Sequence, residues 1–208
     1  MILLQKKFII ILILISSCFI SYCEIREYPH YIRAEVEFAV ILDNTATMGP
    51  FWGPAKEALH SLVDSLKEGD RMQFIVSASG SPFIWEEFLE NKDAIHDSID
   101  ELVHASGLHD ERYDLAVKLA VNNFSSGKLG CILLIGDGYI HSFYDPDVTV
   151  LYDSIESHTE KKAAVYPIVF EDIPGNIGVL DKIAEAGNGE VIYLTHPSDL
   201  GDEYERIK

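Results

Sequence analysis

From Val36 onward the chain alternates between short β-branched or apolar runs and longer stretches with apolar residues at helical spacing. The runs Val36–Leu42, Met72–Ala78, Cys131–Ile135, Val165–Phe170 and Val191–Leu194 are predicted strands. Helices are predicted over Pro54–Lys67, Lys92–His104, Glu111–Phe124, Val148–Glu160 and Ile177–Ala186, with a weaker one from Ser198. Leu59, Leu62, Val63 and Leu66 fall on one helical face, Pro54 suits a first turn, and Gly69-Asp70 stops that helix. Phe38–Leu42 and Ile132–Ile135 are apolar at every position, the pattern of parallel strands covered on both faces by helices. The expected architecture is a doubly wound α/β domain with a mostly parallel central sheet. Phe83–Phe88 follows Met72–Ala78 after a short Ser79-Gly80-Ser81-Pro82 turn and is expected as an antiparallel edge strand.

The first 23 residues read differently. Lys6 and Lys7 precede an unbroken apolar run from Phe8 to Ile15, then Ser16-Ser17-Cys18 and a second short run to Cys23. The run falls short of the roughly 20 apolar residues of a spanning helix, and its basic start and small-residue exit are those of a secretory signal peptide. Cleavage after Cys23 would leave Glu24 first; Ile15-Ser16-Ser17-Cys18 is also similar to a bacterial lipobox, with Cys18 lipidated, and an uncleaved anchor is a third reading. The expected organisation is a leader over 1–23, a polar and aromatic tether over 24–35, and one domain over 36–208, outside the cytoplasm or at the cell surface. Membrane contact is expected only through that N-terminal segment.

Composition narrows the chemistry. With 208 residues, 48% hydrophobic, the chain is long enough for one domain with a sizeable core. Its 34 acidic residues against 16 basic ones give a net charge of −18, which becomes −20 without residues 1–23. Such a surface repels nucleic-acid backbones and anionic lipid, and is compatible with cations. Of three cysteines two lie in the leader, so Cys131 has no partner for an internal disulfide, and a zinc site built on several cysteines is excluded. Its apolar setting marks it as a core residue.

Ligand sites in open α/β sheets lie beyond the C-terminal ends of the strands. Two acidic loops fall there: Asp43-Asn44-Thr45-Ala46-Thr47 and Gly136-Asp137-Gly138. If their strands are neighbours, Asp43 and Asp137 converge, and Thr45 and Thr47 can turn both hydroxyls to one point. Two carboxylates and two hydroxyls are hard donors, suited to magnesium, manganese or calcium.

At these residues the sequence resembles the von Willebrand factor A domain family. Phe38–Asp43-x-Thr45-x-Thr47-Met48 is similar to the family's first strand followed by Asp-x-Ser-x-Ser, the core of its metal-ion-dependent adhesion site. Leu62–Leu66 followed by Gly69–Phe74 resembles its first helix and second strand, Ile132–Gly138 its strand ending in Asp-Gly, and Leu180-x-x-Ile183-Ala184-x-x-Gly187-x-Gly189 its approach to the last strand. The likeness covers about residues 36–206. It implies a mostly parallel sheet with one antiparallel edge strand, a divalent cation, magnesium first, and a protein ligand engaged through it. It assigns Thr45 and Thr47 as hydroxyl ligands, with Asp43 and Asp137 ligating directly or through water.

The family also places a threonine before its next site helix, where this chain reads Ser106-Gly107-Leu108-His109-Asp110-Glu111. Asp110 or Glu111 in that place would favour the metal and weaken capture of a ligand carboxylate. A metal-free scaffold binding a partner through its loops is the second reading. The third is a haloacid-dehalogenase-like phosphohydrolase, since Asp43–Thr47 also resembles Asp-x-x-x-Thr. There Asp43 would be the nucleophile, Thr47 the phosphate holder and Asp137 the magnesium ligand. Against it stand Thr45 where those enzymes place an acid, the non-acidic Tyr139–Ser142, and no clear lysine motif in Lys118 or Lys128. The expectation is therefore a binding module and not an enzyme. Phe51 and Trp52 beside the loop are candidates for partner contact. His104, His109 and His141 read as surface or satisfied histidines, Asp145-Pro146-Asp147 as a turn, and Asn123-Phe124-Ser125 as a glycosylation sequon by pattern.

Overall fold

The computed structural model describes residues 34–77, 81–104, 112–138, 148–159, 163–170 and 177–207. The leader with Cys18 and Cys23, most of the tether, the 106–111 loop with His109, Asp110 and Glu111, and His141 and Asp145–Asp147 lie outside them. Residues Ala34–Lys208 form one compact unit.

Six strands make the sheet: β1 (Val36–Asp43), β2 (Arg71–Ser77), β3 (Phe83–Leu89), β4 (Leu129–Ile135), β5 (Ala163–Phe170) and β6 (Ile192–Leu194). They lie in the order β3-β2-β1-β4-β5-β6. All pairs are parallel except the β2–β3 edge, which is antiparallel as the short turn between them predicts. The helices are α1 (Trp52–Ser65), α2 (Lys92–Glu101), α3 (Tyr113–Asn123), α4 (Val148–Thr159), α5 (Ile177–Ala186) and α6 (Tyr204–Ile207). The weaker C-terminal helix proves to be two pieces, the 3-10 segment Pro197–Gly201 and α6.

The unbroken apolar runs are explained by two cores. Side chains alternate across a strand, so Val36, Phe38, Val40 and Leu42 of β1 face α1, α2 and α6, while Ala39 and Ile41 face α3, α4 and α5. Every residue of β1 is buried. The same alternation turns Asp43 to the α3 side, at the end of the central strand.

Three boundaries differ from expectation for local reasons. Ala46–Phe51 forms a 3-10 helix, so α1 begins at Trp52 and Pro54 sits inside its first turn. The α2 helix ends at Glu101, because Leu102 turns extended at φ −57 and ψ 125 although apolar spacing continues through Val103. The third, α3, starts at Tyr113, not at Glu111.

At the opposite end of the sheet from Asp43, buried Asp70 ties three segments together. Its carboxylate accepts the Val36 N–H at 3.1 Å, the Lys67 N–H at 2.9 Å and the Tyr204 hydroxyl at 2.5 Å. Cys131 lies nearby with its Sγ donating to the Ile207 carbonyl. Burial, aided by the charge of Asp70, pushes its thiol up to about 12, so it stays protonated, as its core setting requires. Glycine is needed at Gly189, where a Cβ would stand 2.0 Å from the Val165 carbonyl oxygen.

Candidate functional site

β1 and β4 are adjacent, with Leu42 level with Ile135, so the two acidic loops emerge side by side. Asp43 is fully buried and Asp137 is 2% exposed. Asp43 Oδ1 accepts the Thr45 N–H at 3.0 Å, a local turn that an aspartate makes with the backbone two residues on. That turn begins the 3-10 segment and brings Thr45 Oγ1 to 3.0 Å from Thr47 Oγ1. The hydroxyls therefore meet as the spacing predicts, above a buried carboxylate. Among the described residues no three His, Cys, Asp or Glu side chains gather as a metal site. Any cation held here would rely on the hydroxyls for half its protein donors.

Three residues that sequence reasoning did not assign complete the arrangement. Tyr113, the first residue of α3 and fully buried, donates its hydroxyl to Asp43 Oδ2 at 2.7 Å. A buried tyrosine needs such an acceptor, and its place beside the acidic 106–111 loop was the available signal. His104 bonds the Thr45 carbonyl at 2.7 Å through Nε2. Because a carbonyl only accepts, that nitrogen carries the hydrogen. Asn44 donates its side-chain amide to the Val103 carbonyl at 3.3 Å and its backbone N–H to the Ser77 carbonyl at 3.0 Å. Residues 102–104 thus act as a strap along the loop. The helical continuation predicted for them is replaced by these bonds.

Trp52 and Phe51 are half-buried and pack against the core. The Trp52 indole N–H donates to the Leu102 carbonyl at 3.4 Å, and its ring lies 5.4 Å from that of His104. Asp110 lies outside the described residues.

Gly136 is where the two strands' loops touch. A Cβ there would stand 2.8 Å from the Tyr113 hydroxyl, 3.1 Å from Asp43 Cβ and 3.2 Å from Asp43 Oδ2. Gly136→Ala is expected to push Tyr113 off Asp43 and cost about 1–3 kcal/mol, the usual penalty of overpacking. Urea unfolding of the variant beside wild type measures it.

Neither lysine weighed for phosphoryl chemistry reaches Asp43. Lys118 is exposed on α3, and Lys128 pairs with Glu35 at 2.8 Å where β4 begins, at the far end of the sheet.

No protein-family model matches the sequence, and no curated protein does. Solved structures do match the fold. An aerotolerance-related membrane protein from Bacteroides fragilis superposes with a TM-score of 0.68 at 19% identity, over 83% of this chain and 98% of that one. The von Willebrand factor domain of the type V pilus tip protein Mfa5 from Porphyromonas gingivalis gives 0.63 at 10% identity, over 84% and 94%. Proximal thread matrix protein 1 of the mussel byssus, whose adhesion-site motif is occupied by zinc, gives 0.64 at 16%, over 84% and 47%. The chain has the von Willebrand factor A fold, as the order of its motifs implies.

Proposed function

We propose that this chain is a protein-interaction module that presents a divalent cation, magnesium before calcium, at the C-terminal ends of β1 and β4. Thr45 and Thr47 are its direct hydroxyl ligands, with Asp43 and Asp137 supplying negative charge behind them, directly or through water. The observation that carries this reading is the hydroxyl pair. Adjacent oxygens of an octahedral magnesium ion at about 2.0–2.1 Å stand about 2.9 Å apart. The Thr45–Thr47 separation is 3.0 Å. The two hydroxyls, hydrogen-bonded to each other, are thus close enough to serve as neighbouring ligands of one ion.

The bound ion would supply an open coordination position to an acidic side chain of a partner. The chain's own part is to hold the hydroxyls, exclude water from Asp43 and brace the loop through His104 and Asn44. Export and display outside the cytoplasm, through the segment 1–23, belong to the same reading. So does partner contact through Phe51 and Trp52. A pilus-tip domain and a byssus matrix protein among the structural neighbours support an adhesive role.

One observation favours the metal-free alternative. Both Asp43 oxygens already accept hydrogen bonds, from the Thr45 N–H and the Tyr113 hydroxyl. The two readings differ in a melting experiment. A ligand at about a hundredfold its dissociation constant stabilises the native state by about 2.7 kcal/mol. For a domain of this size that raises Tm by about 5–10 °C. Magnesium against a chelator is expected to give that shift. Equal melting in both would leave the scaffold reading.

A further inference from the structure

Away from the loops, α1 and α2 carry the same short pattern: His60-x-x-x-Asp64 and His96-x-x-x-Asp100. Residues four apart share one helical face, and the two faces are turned to each other. They bond crosswise. His60 Nε2 lies 3.1 Å from Asp100 Oδ1, and His96 Nε2 lies 3.2 Å from Asp64 Oδ1. The two Nδ1 atoms stand 2.6 Å apart.

An ionised carboxylate only accepts, so each Nε2 carries a hydrogen, and in a neutral ring that leaves Nδ1 as a bare lone pair. Two lone pairs cannot face each other at 2.6 Å. Something positive must lie between them, a metal ion or a proton, and the ring geometry decides which. The ring centroids are 4.9 Å apart with planes 21° from parallel. That separation equals the nitrogen gap plus the two ring radii, so the line joining the nitrogens runs through both ring centres. The rings meet head-on and do not stack. Zinc bonds nitrogen at about 2.0–2.1 Å, too long for an ion to fit between these atoms, and its tetrahedral ligands converge from off that line. A collinear approach at this distance is the geometry of one N–H donating to one nitrogen.

We infer that His60 and His96 share one proton beyond their neutral state, and that this proton is a pH-dependent latch clamping α2 onto α1 and so holding the 102–104 strap against the candidate site. Deprotonation leaves two opposed lone pairs, and a second proton leaves two opposed cationic donors. The latch therefore holds only within a window of pH, open at either side. Asp64 and Asp100 flank the pair directly, and the ammonium groups of Lys56 and Lys92 donate to the Asp100 and Asp64 backbone carbonyls at 2.8 and 2.7 Å, so charges of both signs face it. Of the other elements on this side of the sheet, the 197–201 segment carries Asp199, β3 carries Glu86 and Glu87, and α6 carries Glu205 and Arg206. The strap follows α2 without a break: Leu102, Val103 and His104 each bond Trp52 or the loop. This inference stands apart from the cation reading, since neither histidine touches the loop donors.

The test uses the full chain labelled with 15N at histidine. At about pH 7, where histidine charge is set by its surroundings, two-bond spectra are expected to show hydrogens on both Nε2 atoms and one low-field hydrogen shared by the two Nδ1 atoms. Two rings with no shared hydrogen would overturn the inference, as would one zinc ion per chain bound through both Nδ1 atoms. The latch itself is read from Trp52 emission in a Trp85→Phe background. A plateau that falls away at both acid and alkaline sides, and is lost in His96→Asn, is expected. The same profile in His96→Asn would assign it to His104, beside Trp52, and overturn the latch. Should the variants not fold, the histidine spectra of the unmodified chain across the same pH range decide: a shared Nδ1 hydrogen lost at both the acid and the alkaline side is expected, and one that persists across the range, or is never seen, overturns the inference.

Discussion

Asp70→Ala is expected to cost about 4 kcal/mol or more, because it strands two buried donors and a part-buried one at once, and each hydrogen bond to a charged acceptor is worth about 1.5–3 kcal/mol. Those donors belong to three segments far apart in the chain: Val36 at the start of β1, Lys67 in the turn after α1, and Tyr204 in α6. Phe38, whose ring lies 6.0 Å from that of Tyr204, offers only carbon in its place. For a domain of this size the loss lowers Tm by about 8–16 °C. Tyr204→Phe removes only one of these bonds and is expected to cost about 1.5–3 kcal/mol. Calorimetry of both variants checks the ordering. Equal melting of Asp70→Ala and wild type would show that the carboxylate is not the tie the geometry makes it.

The second large effect separates charge from shape at Asp43. Asp43→Asn keeps an oxygen for the Thr45 N–H and puts an amide donor before the Tyr113 hydroxyl, which can reverse its role and accept. The fold is therefore expected to survive with a loss of about 1 kcal/mol. The missing negative charge sits beside the hydroxyl pair, and it is one of the two carboxylates assigned to the ion. Under the cation reading its affinity falls at least about a hundredfold. Asp43→Ala is the harsher change, leaving both donors without an acceptor at a cost of about 2–5 kcal/mol. Denaturant melts in a chelator, with and without added magnesium, give both quantities.

Much of this was legible because the relevant signals are periodic. A strand apolar at every position and capped by Asp43 announces a central parallel strand with an acidic exit, and neighbouring β1 and β4 follow from the doubly wound pattern. The Thr45–Thr47 meeting is likewise local, being set by a turn within five residues. The parts that escaped depend on residues far apart in sequence. Tyr113 reaches Asp43 across 70 positions, and His104 reaches Thr45 across 59. Whether a helix turns its hydroxyl or its ring to a given strand end is fixed by tertiary packing, which periodicity does not encode. The end of α2 shows the same limit. Leu102 and Val103 continue the apolar spacing of Ile95 and Ile99, yet their carbonyls are taken by Trp52 and Asn44, and the chain leaves the helix to meet them. The His60–His96 pair carries a repeated four-residue spacing visible in the sequence, but only the facing of two helices gives it meaning.

Isothermal titration of the full chain with magnesium, run beside Asp43→Asn, tests most directly whether a cation belongs at the Thr45–Thr47 pair. Saturable binding of one ion per chain, abolished in a variant shown to be folded, is the predicted result. Heat no greater than dilution from a chain shown to be folded, or binding that Asp43→Asn leaves unchanged, would contradict it.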